Sequence, residues 1–477
     1  MKQLWQAFFT ISIPVLLLSA CAPKSNSQST HWTSSQQPLQ AMEQVRKQIV
    51  APTFKDRDFL ITDYGAKGDG TTLNSEAFKK AVEACNAAGG GRVVVTAGRF
   101  LTGPIYIKSN VNLHLAEGST IVFSRNTKDY PIVLTRWEGM DCMNYSPQLY
   151  AYKEKNIGIT GSGTIDGNAT DDHWWPWKGR EDHGWKKGEP HQGTARDALH
   201  DMMHQKVDPR KRVFGDGHYL RPNMLAPYQC ENILISGVNL INSPMWFISP
   251  VMSENITIEK LHIESHGPNT DGCDPDACKN VLIKDCYFDT GDDCIAIKSG
   301  RDEDGRDALR PAENHIIEGC VMKDGHGGVV IGSEIAGGAR NIFAINCQMS
   351  SKNLDRVLRI KTSSSRGGII ENVFLKDIEV GSYKVSAIHC NMFYEKPGNF
   401  IPTIRNIWVE NLRVSDGGDY GIFVNAYQQS PVENLQVVNS SINGVKEPLK
   451  IDHVKDLHFS NLTINGKLVS VPDSLKK

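Results

Sequence analysis

Asn280-Val281-Leu282-Ile283-Lys284-Asp285-Cys286 begins with an asparagine, runs through alternating apolar positions, and reaches a small apolar residue six places on. The phrase recurs as Asn255-Ile256-Thr257-Ile258, Asn341-Ile342-Phe343-Ala344, Asn372-Val373-Phe374-Leu375, Asn406-Ile407-Trp408-Val409 and Asn434-Leu435-Gln436-Val437. Asn156 and Asn232 open earlier versions, Asn314 a degenerate one, and Asp456 replaces asparagine in the last. Six places after the starts stand Val238, Leu261, Cys286, Cys320, Cys347, Ile378, Leu412 and Leu462, with Ser162 and Ser440 as exceptions. From Asn232 onward the starts lie 22 to 34 residues apart, a period suited to one turn of a solenoid.

Each phrase is short, β-branched and of period two, so it reads as a strand whose alternate side chains face in and out. Gly, Asn and Asp between the strands supply turns. Several short strands per repeat, stacked in parallel, make the chain all-β, a single-stranded parallel β-helix; a propeller of similar repeat length is the alternative. One coil cannot bury its apolar face alone, so stability comes from neighbouring coils, and a helix over residues 75–88 can cap one end. Cys286, Cys320 and Cys347 share one offset and stack inside as small apolar residues. The sequence leaves open whether Cys273 and Cys278 form a disulfide.

Four polar clusters sit at related points of this repeat: Asn269-Thr270-Asp271, Gly291-Asp292-Asp293, Gly325-His326-Gly327 and Arg359-Ile360-Lys361. Asp292 and His326 each lie twelve residues after their phrase begins, so they should face one another about 4.8 Å apart on adjacent coils. Asp271 comes later in its own coil, and the His266-Gly267-Pro268 turn can absorb the difference. Arg359 and Lys361, two apart on a strand, point to one face. Hydrolysis of a glycosidic bond needs one acid for the leaving oxygen and one base for water, and crowded carboxylates drive one pKa up. Taken singly, each aspartate reads as a turn terminator. In register, the four clusters read as a site.

These motifs resemble those of the polygalacturonase family, glycoside hydrolase family 28, in the family's order. The similarity continues through Gly327-Gly328-Val329-Val330-Ile331-Gly332-Ser333 and extends from about Asp58 to Lys467, with Tyr64-Gly65-Ala66-Lys67-Gly68-Asp69-Gly70 and Gly163-Thr164-Ile165-Asp166-Gly167 as supporting segments. The resemblance implies a right-handed β-helix and hydrolysis of α-linked galacturonate with inversion. It implies Asp292 as general acid, Asp271 and Asp293 as the pair that activates water, and His326 as keeper of the acid's protonation state. It also implies that Arg359 and Lys361 bind a substrate carboxylate, with Asn269 of the first motif and Tyr394, on the leaving-group side, as further substrate-binding residues. No cofactor and no metal is required. His266, Cys273 and Cys278 lack a second clean ligand pair at zinc spacing. The contexts Asn269-Thr270-Asp271-Gly272-Cys273-Asp274-Pro275 and Ser243-Pro244-Met245-Trp246 resemble exo-acting bacterial members.

Residues 168–222 interrupt the repeat and carry Trp174, Trp175, Trp177 and Trp185 among charged residues, a composition suited to carbohydrate binding or to structural anchoring. Folded beside Asp271, this insertion would close one end of a cleft and favour removal of terminal sugars. Arg301, Arg306 and Arg310 are further candidates for substrate contact. A net charge of −2 over 477 residues argues against a nucleic-acid partner, so an anionic polymer must be met by local cations. The run Ile11 to Leu18 is too short to span a bilayer and ends in Leu18-Ser19-Ala20-Cys21, which resembles a bacterial lipoprotein cleavage box. Residues 1–20 are thus expected as a signal peptide, Cys21 as the lipidated residue, 21–55 as a flexible tether and 56–470 as the catalytic β-helix. The protein would then face the periplasm or the cell exterior, held to the membrane by lipid. Three readings remain distinct: a galacturonan hydrolase, including one for rhamnogalacturonan or branched pectin; a β-helix lyase; and a surface glycan-binding protein without turnover.

Overall fold

A computed structural model describes residues 31–473. Short strands stack into three parallel rows. One runs through Glu231–Ser236, Glu254–Glu259, Lys279–Lys284, Ala312–Glu318 and Ala339–Ile345, each paired with the next in unbroken register. A second includes His262–Ser265, Tyr287–Thr290 and Val321–Met322. The third is a six-stranded sheet through Ile295–Ile297, Val329–Ile331, Arg356–Lys361, Ser386–Asn391, Tyr420–Asn425 and Glu447–Asp452. Three strands per turn stacked this way make the expected right-handed parallel β-helix.

The asparagine that opens each repeat has two local functions. Asn232, Asn255, Asn280, Asn314, Asn341, Asn372, Asn406 and Asn434 all adopt left-handed backbone, with φ between 53° and 62°, a region asparagine tolerates better than other residues with a Cβ. Their side-chain amides form a ladder: Asn314 donates to Asn280 at 2.9 Å, Asn341 to Asn314 at 2.9 Å and Asn372 to Asn341 at 3.0 Å. One residue therefore turns the chain and fixes its register against the next coil. Inside, aliphatic residues and the stacked Cys286, Cys320 and Cys347 form one continuous core. The ten cysteines among the described residues, Cys273 and Cys278 included, are free and buried. Helix α2 (Ser75–Ala87), after α1 (Gln36–Arg46), lays Phe78, Ala81, Val82 and Cys85 against this core, matching the helix expected there.

Two expectations need correction. From Trp32 onward the segment expected as tether is ordered: Trp32, Met42 and Val45 pack on Phe343, Phe374 and Trp408, which face outward from the first row. Arg46 also pairs with Glu318 at 2.8 Å, and Val50 exchanges two hydrogen bonds with the Asn255 amide. The cause is apolar: rings on the outer face of a strand row need a cover, and Leu39, Met42 and Val45 recur at helical spacing to provide it. Cys21 and the signal segment lie outside the described residues. The second correction concerns the insertion's tryptophans. Trp174 is fully buried among Tyr130, Tyr145 and Trp177, and Trp175 donates to the Ser243 carbonyl at 3.0 Å. Trp185 donates to Glu189 within its own loop. They anchor the insertion rather than line a sugar site.

Candidate active site

Three of the polar clusters lie in the turns that enter the third row, and Arg359-Ile360-Lys361 lies on the strand Arg356–Lys361 of that row. Cys273 bridges Ile295, and Ile295 pairs with Val329, which pairs with Leu358. Counting back two places aligns Asp271, Asp293 and Gly327, and counting back three aligns Asp292 with His326. The longer His266-Gly267-Pro268 turn thus absorbs the extra residues before Asp271. Asp271, Asp292 and Asp293 each place an oxygen within 4.8 Å of the others. His326 Nδ1 lies 2.8 Å from Asp292 Oδ1. Gly325 stands at φ 153° with the Asp292 carbonyl oxygen 2.6 Å from where its Cβ would be, so a side chain there would push the histidine's coil off the acid's.

Asp293 is fully buried and saturated with cations: Arg359 Nη1 lies 3.2 Å from Oδ1, and Lys361 Nζ 2.6 Å from Oδ2. The two residues expected to hold substrate therefore hold Asp293 in this structure. Tyr394 is 40% exposed, with Arg359 and Lys361 each 5.3 Å from its ring centre. Asn269 is clamped by the buried Arg221, which donates to Asn269 Oδ1 at 2.8 Å and to the Pro268 carbonyl at 2.6 Å. Its amide reaches Asp292 Oδ2 at 3.4 Å.

Asn269, Asp271, Asp292, His326, Lys361 and Tyr394 line a cavity of about 350 Å3, which also exposes residues the sequence did not mark. Lys178, Arg180, His183 and Arg196 come from the insertion, and Glu138, Lys298 and Glu334 from elements around it; Trp246, from a segment the sequence did mark, joins them. Lys298 Nζ sits 3.1 Å from Glu334, 3.3 Å from Asp274, 3.9 Å from Asp271 and 4.5 Å above the Trp246 ring. Lys298 and Glu334 are each near the end of a third-row strand. Only the register, once known, marks them. Of the three arginines expected near substrate, Arg301 lines the cavity. Arg306 donates to the Ser365 carbonyl and Arg310 to that of Ala277, both as structural ties. Trp175 packs so closely on Gly267 that a Cβ there would lie 2.2 Å from its ring. This contact ties the insertion to the turn carrying Asp271.

Charge distributes unequally over the three carboxylates. Burial, with Asp274 and Asp292 nearby, drives Asp271 well above the usual carboxylate range against the pull of Lys298. Burial acts the same way on Asp292, but the His326 hydrogen bond and charge, with Lys361 and Lys298 behind them, override it and hold Asp292 low. His326 is raised in return, chiefly by its bond to Asp292. Asp271 is therefore biased toward its protonated form, Asp292 toward its ionised form and His326 toward its cation.

His266, Cys273 and Cys278 do not form a metal site: His266 is exposed and paired with Asp289 at 3.2 Å, while both thiols are in the core. Other trios with ligand-like spacing are His204 with Asp302 and Glu303, and His266 with Asp289 and Asp324.

The description of glycosyl hydrolases family 28 matches residues 214–463, which include the four motifs. The chain belongs to glycosyl hydrolases family 28. Within that family it is 42% identical to an exopolygalacturonase of Thermotoga maritima, with a TM-score of 0.88 over 90% of this chain and 96% of that one. It is 27% identical to an exo-poly-alpha-D-galacturonosidase of Dickeya chrysanthemi over 85% of this chain and 70% of the relative. A probable polygalacturonase of Vitis vinifera is 30% identical over 68% of this chain, which spans 61% of that relative's length. No helix of the described residues is long and apolar enough to cross a membrane.

Proposed function

We propose that the protein is an exo-acting, inverting hydrolase of α-1,4-linked galacturonan, releasing galacturonate from a chain end. The observation that carries this reading is the shared cavity: Lys178, Arg180, His183 and Arg196 of the insertion line the same space as Asp271, Asp292 and His326. A cleft occupied at one end by an inserted segment accepts a chain terminus more readily than a chain interior. Similarity to the two exo-acting relatives supports the same reading.

In this mechanism Asp292 delivers the proton carried by its pair with His326 to the leaving oxygen. Asp271 and Asp293, register-equivalent on adjacent coils, hold and deprotonate water. Asp271 must first lose its own proton, a loss that burial opposes and Lys298 assists. Arg359 and Lys361 share their charge between Asp293 and a sugar carboxylate, the planar guanidinium offering paired donors and the ammonium a compact charge. The cluster is tighter than the roughly 6.5–9.5 Å usual between the carboxyl groups of inverting enzymes, so stereochemistry is a direct test. Proton spectra taken during the first turnovers should show β-galacturonate before mutarotation; α-galacturonate appearing first would overturn inversion.

We also infer anchoring through Cys21. Cells fed a tagged fatty acid should label the wild-type protein and not Cys21→Ser; equal labelling would remove the anchor from the account.

A further inference from the structure

The cations lining the catalytic cavity are almost all neutralised by the protein itself. Arg180 pairs with Asp182, Arg196 with Glu138 at 2.6 Å, Lys298 with Glu334 and Asp274, Arg301 with Glu334, and Lys361 with Asp293. Arg359, beside them, is also bound to Asp293. Lys178 is the exception: among the described residues its side chain makes no hydrogen bond and no ion pair within 4.0 Å, although it lines the cavity and feels the charge of Glu138. It is half-buried, follows the anchor tryptophans Trp174 and Trp177 directly, and stands just before Gly179 at the end of the short helical turn Trp175–Lys178.

We propose that Lys178 is the carboxylate receptor for the chain-terminal galacturonate, and so the residue by which the insertion sets end specificity. Anchorage and electrostatics agree. Trp174 is fully buried and Trp175 is locked onto Gly267, so the lysine's backbone is fixed relative to the turn carrying Asp271. It shares the cavity with Asp271, Asp292 and His326, and the charges it feels include Glu138 and the catalytic Asp292, opposed by Arg221 and Arg196. Burial lowers its pKa, so the ammonium has given up hydration that an arriving carboxylate can replace. Arg359 and Lys361, by contrast, are already committed to Asp293 and lie on the Tyr394 side. Two sugars spanning the cut would then each present a carboxylate to a separate cation group.

This inference rests on the galacturonan reading, and the test separates the two. Calorimetry would measure binding of digalacturonate, and of an analogue whose terminal carboxyl is reduced to the alcohol, to Asp292→Asn protein with Lys178, Lys178→Met or Lys178→Arg. Turnover of both disaccharides would be followed in the Asp292 background. With Lys178, the carboxylate form should bind about 100-fold better than the alcohol, a span set by leaving one partner of a buried charge pair unpaired. Lys178→Met should abolish that preference, and Lys178→Arg should restore most of it. A preference that survives Lys178→Met overturns the assignment, as does binding of neither form when Lys178 is present. Lys178-dependent binding without turnover would keep the receptor and reject the hydrolase.

Discussion

Asp292 and Asp271 lie in the same few ångströms of protein, yet their environments separate them: His326 pulls one toward its ionised form, and burial pushes the other toward its protonated form. Resting charge alone would nominate Asp271 as the acid, so the roles need a test that does not depend on it. An aryl galacturonide with a good leaving group needs no acid but still needs a base. Asp292→Asn should lose about 10^3-fold on galacturonan, in the range for general acid catalysis, and little on the aryl substrate. Asp271→Asn should lose both activities; the reverse pattern would exchange the assignments. The pH profile follows from the same pair. His326 is raised above its ordinary value, so its proton is present below that raised pKa and lost as pH climbs through it; this should set the alkaline limb of kcat. Asp271, also raised, must deprotonate and sets the acid limb. Without the imidazole, Asp292 is freed from the bond and charge that hold it low and becomes the sole donor, so His326→Ala should shift the alkaline limb from one set by the imidazole to one set by the Asp292 carboxyl. A limb that stays put would show that the pair is not the proton donor.

The catalytic elements were legible because one residue type both turns and pairs the chain. Asn372 illustrates this, with φ 59°, a donated bond to Asn341 and one accepted from Asn406. Alanine there loses ladder bonds and sits in a region costly for a Cβ, so Asn372→Ala should cost about 2–4 kcal/mol in urea unfolding. Asn372→Gly, which keeps the backbone, should cost distinctly less. Equal losses would show that the left-handed turn contributes nothing. From that repeat, Asp292 and His326 could be matched by counting. Asp271 needed a turn of unknown length, and Lys298, Glu334 and Lys178 carried no motif at all. The insertion was visible only as a gap in the pattern. Its tryptophans left a sugar platform and a structural anchor both open, because composition cannot distinguish a ring that faces solvent from one that anchors a loop.

The molecule as a whole is a solenoid with its outer face partly covered by its own N-terminal segment. Leu39, Met42 and Val45 carried a helical signal, but the surrounding Ser and Gln favoured a tether reading. Protein beginning at residue 56 would leave Phe343, Phe374 and Trp408 uncovered, an exposed aromatic patch of the kind that drives association. Compared with protein beginning at residue 32, it should melt several degrees lower and show concentration-dependent association by light scattering. Indistinguishable melting would mean that α1 adds no stability. The cover lies on the first row and the catalytic turns enter the third, so turnover of short oligomers by the folded fraction should be little changed.

The most direct test of the central claim is a time course on long homogalacturonan, with products resolved by chain length, for wild type and Asp292→Asn. End-directed hydrolysis at this cluster predicts monogalacturonate from the first points, slow loss of polymer length, and neither in the variant. Mid-size oligomers early in the digest, or undiminished release by Asp292→Asn, would contradict it.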